Sequence, residues 1–260
     1  MDQNTALTIE EKQQIILEIM KDIDRFCRAH DIPYTLSSGT LLGAVRHGGF
    51  IPWDDDADIF MLREDFDRFI KIYTSDKYRL IYNYNPEERV ISSGNAKVGD
   101  ITTWSRHSSG VNDFGVWVDV FPLESVPEDP KERRRFMHKI LSVNNRIHHR
   151  RRKDLLSIIK SYRHSFTWWV NRLDSIVHNN PYTDSPLVAH LVGSNNYRTV
   201  IPRKWFDNLG EIHFVDHDFK AFSDPDSYLK IVYGPDYMTP RKWTHNTTIY
   251  KKPTSDTDGE

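Results

Sequence analysis

Cysteine is almost missing from this sequence of 260 residues: the single Cys27 excludes an intramolecular disulfide and any cysteine-built zinc site, and it fits a reducing compartment. Cys27 falls beside Ile23 and Phe26 at helical spacing, so a buried structural thiol is expected rather than a nucleophile. Long hydrophobic runs are lacking too. No basic stretch leading into an apolar one opens the chain, and nothing approaches the ~18 apolar residues of a membrane span, so the expected location is the cytoplasm. A large net charge is also absent, at -2, so attraction to an anionic partner must come from a local patch, and double-stranded nucleic acid is disfavoured as a partner. There is no internal repeat and no low-complexity tract. What is there suits a packed interior under a solvated surface: 38% hydrophobic, 28% charged and 12% aromatic residues, in a length that suits one core with elaborations.

The first element to stand out starts at Thr8, where Thr8-Ile9-Glu10-Glu11 reads as a capping box followed by Ile16, Ile19, Ile23 and Phe26 at helical spacing; the helix runs to about Ala29. Tyr34 to Ser37 reads as a short strand, Ser38-Gly39-Thr40 as a tight turn, and Leu41 to Arg46 as a short helix. After a Gly48-Gly49 loop, Ala57 to Leu62 alternates like a strand and Glu64 to Tyr73 like a helix. Further strands are expected at Tyr78 to Asn83, Ala96 to Trp104 and Val116 to Phe121. From Pro130 to about His178 the pattern turns helical and basic. Tyr182 to Ser194 and Ile201 to Phe222 read as short strands and loops, Pro225 to Tyr233 as a helix stopped by Gly234-Pro235, and the chain beyond Lys251 as a frayed tail.

Chemistry concentrates in Trp53-Asp54-Asp55-Asp56-Ala57-Asp58. Asp56 and Asp58 are two apart on an expected strand, so their side chains point the same way and can converge on one hard cation, Mg2+ or Mn2+. Asp119, an acid between Val118 and Val120, is the natural third ligand from a neighbouring strand. The competing reading of the run is a solvated loop or a helix cap. Against it, a loop acid gains nothing at a strand start, and an unpaired charge among valines is costly. Gly39 and Thr40, in a turn that opens a helix, present backbone N-H groups and a hydroxyl suited to phosphate.

The stretch Ser38-Gly39-Thr40-Leu41-Leu42-Gly43-Ala44-Val45-Arg46-His47-Gly48-Gly49-Phe50-Ile51-Pro52-Trp53-Asp54-Asp55-Asp56-Ala57-Asp58-Ile59 resembles the signature of the LicD family of phosphotransferases. The resemblance continues in Trp117 to Leu123, in Ile201 to Phe206, and in Tyr228-Leu229 followed by Tyr233 to Met238 with Arg241 and His245. It implies an α+β fold: a mixed-sheet nucleotidyltransferase core of polymerase-beta type flanked by helices, with a helical insertion. The expected division is a catalytic core over residues 1–129, a basic helical insertion over 130–180, a C-terminal part completing the core over 181–250, and a flexible tail over 251–260. Carried over residue by residue, the resemblance makes Asp56, Asp58 and Asp119 metal ligands and catalytic residues, with the catalytic Asp54 nearby. It puts Gly39 and Thr40 against phosphate, and Arg46 and His47 at the mouth of the site. Two departures are visible: the small Ala57 stands where an aliphatic residue is usual, and the proline-rich link to Arg241 and His245 is compressed.

Bacterial relatives of that kind move phosphocholine from CDP-choline to a teichoic acid repeat or a lipopolysaccharide sugar, whereas fukutin-type relatives use CDP-ribitol. The implied reaction is attack of an acceptor hydroxyl on the distal phosphorus with CMP leaving, assisted by a basic group among Lys97, Arg46 and Arg241 and by a carboxylate such as Asp54 as proton acceptor. A choline head group calls for aromatic faces, for which Trp53, Trp104, Trp117, Tyr233 and Tyr237 compete with their ordinary role as core. The basic run Arg146 to Lys153 reads either as the solvated face of a helix or as a site for a polyanionic glycan acceptor or the inner face of the cell membrane. His148 and His149 lack a partner for zinc. Two other functions stay open: nucleotidyl transfer releasing pyrophosphate, and a catalytically silent binding protein on the same fold.

Overall fold

The computed structural model describes residues 6–82, 94–107, 110–112, 114–151, 164–191, 199–241 and 248–251. His245, Arg152, Lys153 and the tail beyond Lys251 lie outside them. The first helix, α1 (Ile9–Ala29), begins with the expected box: the Glu11 N-H donates to the Thr8 hydroxyl at 3.1 Å and the Thr8 N-H to the Glu11 carboxylate at 3.0 Å. Its apolar stripe, Ile16, Ile19, Met20, Ile23 and Cys27, is buried against the main sheet.

That sheet is built around the long strand β7 (Trp117–Ser125), whose β-branched Val118 and Val120 are fully buried. On one side β7 pairs in parallel with β2 (Asp58–Leu62), which is edged by the short antiparallel β1 (Thr35–Leu36). On the other side its first half meets β4 (Ala96–Asp100), edged by β3 (Tyr78–Ile81), and its second half meets β8 (Leu187–His190), edged by β9 (Val200–Pro202). The β2–β7 pair is the parallel one in a sheet otherwise antiparallel. A hairpin of β10 (Leu209–Phe214) and β11 (His217–Phe222) packs beside β1, and β12 (Ile249–Lys251) joins β5 (Thr103–His107) and β6 (Gly110–Asn112) in a small sheet. Five further helices complete the described residues: α2 (Ser38–His47), α3 (Arg63–Ile72), α4 (Pro130–Arg151), α5 (Phe166–His178) and α6 (Pro225–Tyr233). A mixed sheet flanked by helices, α+β in class, is what the sequence led one to expect. Helices α4 and α5 pack on each other over a separate apolar cluster that includes Phe136, Ile140, Ile147, Leu173 and Ile176. No helix among the described residues is long and apolar enough to cross a membrane.

Two boundaries differ from expectation. Ser38, Gly39 and Thr40 form the first turn of α2 rather than a turn before it, with Ser38 at φ 48° and its N-H bonded to the Tyr228 hydroxyl at 3.1 Å. The run Ala96 to Trp104 is cut in two at Ile101-Thr102, because the Thr102 hydroxyl and N-H turn back onto the Asp100 carboxylate, at 2.8 and 3.3 Å.

A buried carboxylate ties α1 to the hairpin. Asp24, 2% exposed, accepts from Arg28 at 2.7 Å, from the Tyr34 hydroxyl at 2.5 Å and, through an imidazole contact of 2.8 Å, from His217. Asp24→Ala removes the buried acceptor that those three groups share and is expected to cost about 3 kcal/mol in a urea titration. Burial pushes the Cys27 thiol up, so a disulfide reagent such as DTNB should label it only as the chain unfolds.

Candidate active site

The parallel pairing sets Asp58, the first residue of β2, directly beside Asp119 of β7. The backbone around both is fixed. The Asp58 N-H donates to the Thr40 hydroxyl at 2.8 Å, the Asp119 N-H to the Ala57 carbonyl at 2.8 Å, and the Ser37 N-H to the Asp58 carbonyl at 3.0 Å. The intervening Ala57 is fully buried, so a small side chain suits the position. Thr40 therefore does structural duty at the strand start, whatever else its hydroxyl binds.

The loop ahead of β2 brings two more carboxylates. Asp54 is positioned by its own N-H to the Ile51 carbonyl at 2.9 Å and by Gln13 of α1, whose amide donates to the Asp54 carbonyl at 2.9 Å. Its carboxylate lies over Gly39: a Cβ there would come within 2.9 Å of Asp54 Oδ2, so a side chain at residue 39 would push the carboxylate from this position. Asp55 points away from the cluster into a nearly buried ion pair with Lys12 at 2.7 Å. The run thus splits: Asp55 anchors the loop, while Asp54, Asp56 and Asp58 crowd together. Burial raises the Asp54 carboxyl to about 8, helped by the charge of Asp56 and a hydrogen bond with it. Burial pushes Asp58 well above the carboxylate range, reinforced by Asp56, Asp119 and Asp54 and opposed by Lys97.

Asp119 is engaged differently. Lys97, opposite it on β4, donates at 2.6 Å and Asn95 at 2.8 Å to one oxygen, and the Trp117 indole N-H donates at 2.8 Å to the other. The Lys97 ammonium lies 4.3 Å from the centre of the Trp117 ring. Among the described residues no three acidic or imidazole groups stand together in an arrangement ready to hold an ion. The donor set is nonetheless of the right chemistry: hard oxygens, crowded and partly desolvated, whose repulsion a divalent cation relieves.

The remaining expected residues are more dispersed. Arg46 and His47 lie in the last turn of α2, about 10 Å along the helix from Gly39 at 1.5 Å per residue. Arg46 donates to the Tyr237 carbonyl at 2.9 Å, and burial, together with Arg46, holds the His47 imidazole below its usual range. Arg241 is ion-paired to Asp236 on the surface. Of the aromatic residues, Trp117 touches Asp119, and Tyr233 feels the charges of Asp58, Asp54 and Asp56, which with burial raise its hydroxyl. Trp53 packs against the core, Trp104 stacks on Tyr250 at 4.7 Å, and the Tyr237 hydroxyl donates to Asp226 at 2.8 Å. Sequence reasoning missed Lys12, Gln13 and Asn95. The signal for the first two was faint: polar residues on the face of α1 that carries its apolar stripe.

Comparison with known proteins bears on this arrangement. Residues 31–153 match the family model described as "LicD/FKTN/FKRP, nucleotidyltransferase domain". The lipopolysaccharide cholinephosphotransferase LicD of Haemophilus influenzae is 34% identical over 128 residues, 48% of either chain. An uncharacterized protein of Rickettsia typhi is 43% identical over 77 residues, 28% of this chain and 25% of that one. An uncharacterized protein of Rickettsia prowazekii is 50% identical over 50 residues, 19% of either. The chain thus spans about half the length of the Haemophilus protein it matches and a quarter or less of the two others. Residues 31–153, with all four crowded or paired carboxylates inside them, are thus similar to the LicD/FKTN/FKRP nucleotidyltransferase domain.

Proposed function

We propose that this chain is a phosphotransferase that moves phosphocholine from CDP-choline to a hydroxyl of a cell-surface glycan precursor and releases CMP. The observation that carries this reading is the side-by-side placement of Asp58 and Asp119 across parallel strands, with Asp54 and Asp56 crowded against Asp58. Carboxylates that repel one another below a helix N-terminus would suit a divalent cation and the phosphates of a donor. The choline and glycan parts of the reading are supported by the printed name of the Haemophilus relative, a lipopolysaccharide cholinephosphotransferase.

Mg2+ or Mn2+, held by Asp56 and Asp58 with Asp119 beside them, would supply charge neutralisation at the bridging phosphates. The chain's own groups do the rest. The N-terminal turn of α2 at Gly39 and Thr40 presents N-H groups to phosphate oxygens. Lys97, held by Asp119 and the Trp117 ring, puts a positive charge where negative charge builds as the phosphorus–oxygen bond to CMP breaks. The acceptor oxygen forms the new bond to phosphorus, and its proton passes to the Asp54 carboxylate, whose raised affinity suits a base working near neutrality. Tyr233, which interacts with Asp58, and Trp117, bonded to Asp119, are assigned to the quaternary ammonium. A glycan carried on a lipid or as a teichoic acid repeat is an equally suited acceptor, and CDP-ribitol an alternative donor. The word "nucleotidyltransferase" in the family description favours one other reading, transfer of a nucleotide with release of pyrophosphate.

Incubation with magnesium and a panel of CDP-alcohols decides among these: CMP released from CDP-choline supports the proposal, CMP from CDP-ribitol alone changes the donor, and pyrophosphate released from a nucleoside triphosphate replaces the reaction. Asp58→Asn is expected to lower transfer by at least about 100-fold, with the circular dichroism spectrum kept and the rise in melting temperature on adding magnesium lost. Full metal-dependent activity in that variant would defeat the assignment. Without metal, the pH dependence has a fixed sign. Asp54 titrates at about 8 in the fold against 3.8 normally, so the native chain binds the extra proton. Its contribution is greatest below pH 4 and is lost as pH rises toward 8. The melting temperature should fall across that window and fall less in Asp54→Asn.

A further inference from the structure

The charge of the chain is divided very unequally. Between Lys131 and His178 there are 13 Lys and Arg against 3 Asp and Glu, a local net charge of +10. The rest of the chain holds 22 basic and 34 acidic residues, a net charge of -12. The described part of this basic segment is the antiparallel pair α4 and α5, with Phe136 edge-on to Tyr182, just beyond α5, at one end and the Arg146 guanidinium 5.0 Å from the Trp169 ring at the other.

On α4 the buried residues Phe136, Ile140, Val143 and Ile147 face the apolar cluster. Arg135, Lys139, Ser142 and Arg146, spaced by four, three and four, form an exposed stripe along its flank. On α5 the same spacing gives Trp168, Arg172, Ser175 and Asn179, again exposed. The two stripes meet at a groove of about 320 Å³ in which Lys139 and Arg172 face each other across a floor of Phe136 and Ile176. Neither cation has an acidic partner among the described residues. At the end of the α5 stripe the Trp168 indole is 40% exposed and stacks on His164 at 3.7 Å.

We infer that the α4–α5 face docks on a bilayer containing anionic phospholipid, with the groove between Lys139 and Arg172 holding a headgroup phosphate and Trp168 entering the interface. Three observations converge on a lipid surface rather than a dissolved polyanion. Four exposed cations, Arg135, Lys139 and Arg146 of α4 and Arg172 of α5, lie along the two stripes. The groove joins charged walls to an apolar floor, which suits a headgroup with its glycerol. An exposed indole at the edge of a cationic face is what a membrane interface accommodates and a soluble anion does not require. This face is wider than the run Arg146 to Lys153 singled out from the sequence, and the inference stands apart from the catalytic reading.

Co-sedimentation of the whole chain with vesicles tests it. Binding is expected to vesicles of phosphatidylcholine with one-third phosphatidylglycerol, and not to phosphatidylcholine alone. It should weaken as salt rises from about 0.1 M to about 1 M, where the screening length falls from ~10 to ~3 Å. Neutralising a surface cation should cost about fivefold in partitioning, so Lys139→Gln with Arg172→Gln should lose about 25-fold. Lys77→Gln, on the other side of the chain's charge division, should lose little. Trp168→Ala should weaken binding while leaving the salt dependence intact. Equal binding to both vesicle types, binding to neither, or binding that survives high salt overturns the inference. So does an unchanged Lys139/Arg172 double variant with the wild-type melting temperature. Capture of the chain by soluble polyphosphate without any vesicle binding also overturns it, in favour of a dissolved polyanion.

Discussion

Two carboxylates side by side at adjacent strand ends are an electrostatic liability, and much of the chain is arranged around it. The parallel β2–β7 pair fixes Asp58 against Asp119 through backbone hydrogen bonds that neither side chain can escape. Asp119 is neutralised from its own sheet, by Lys97 and the N-H groups of Asn95 and Trp117. Asp58 has no such set: Asp56 and Asp54 add to its burden, and its proton affinity rises accordingly. The result is an asymmetric pair, one acid satisfied and one frustrated, and on that asymmetry rests the proposal of a cation and a phosphate at this site.

The geometry that makes this possible is short-range. A Cβ at Gly39 would displace the Asp54 carboxylate, and α2 itself approaches the following loop so closely that a Cβ at Gly43 would lie 2.4 Å from the Gly49 carbonyl. These are contacts that a single methyl group would spoil. Their cost in conformational freedom is offset by the apolar burial beneath them, in which Leu41, Ile59, Phe60 and Tyr228 are almost fully enclosed.

Much of this was legible in the sequence, because the relevant signals are local. The capping box of α1, the alternation leading into β2, the valines around Asp119 and the Gly234 stop after α6 each depend on a few neighbouring residues. What could not be read was pairing. Nothing in the sequence says that Asp55 leaves the cluster for Lys12, that Asn95 joins Lys97 on Asp119, or that Lys139 and Arg172 meet across a groove, since each joins residues on separate elements. The two misplaced boundaries have the same origin. The turn at Ser38 became helix under the hold of the Tyr228 hydroxyl, 190 residues away, and the break at Thr102 came from a side chain competing with the strand ladder.

The anchor on α1 extends the unit that holds these carboxylates upstream of the matched region. The stretch that resembles the family starts at residue 31, yet the loop carrying Asp54 is clamped by Lys12 and Gln13, well upstream. Cutting the chain at the family boundary would leave the Asp55 carboxylate buried without its ammonium and the Asp54 carbonyl without its donor. The sequence-defined domain and the mechanical unit are therefore different objects: the first helix is part of the scaffold that holds the carboxylate loop.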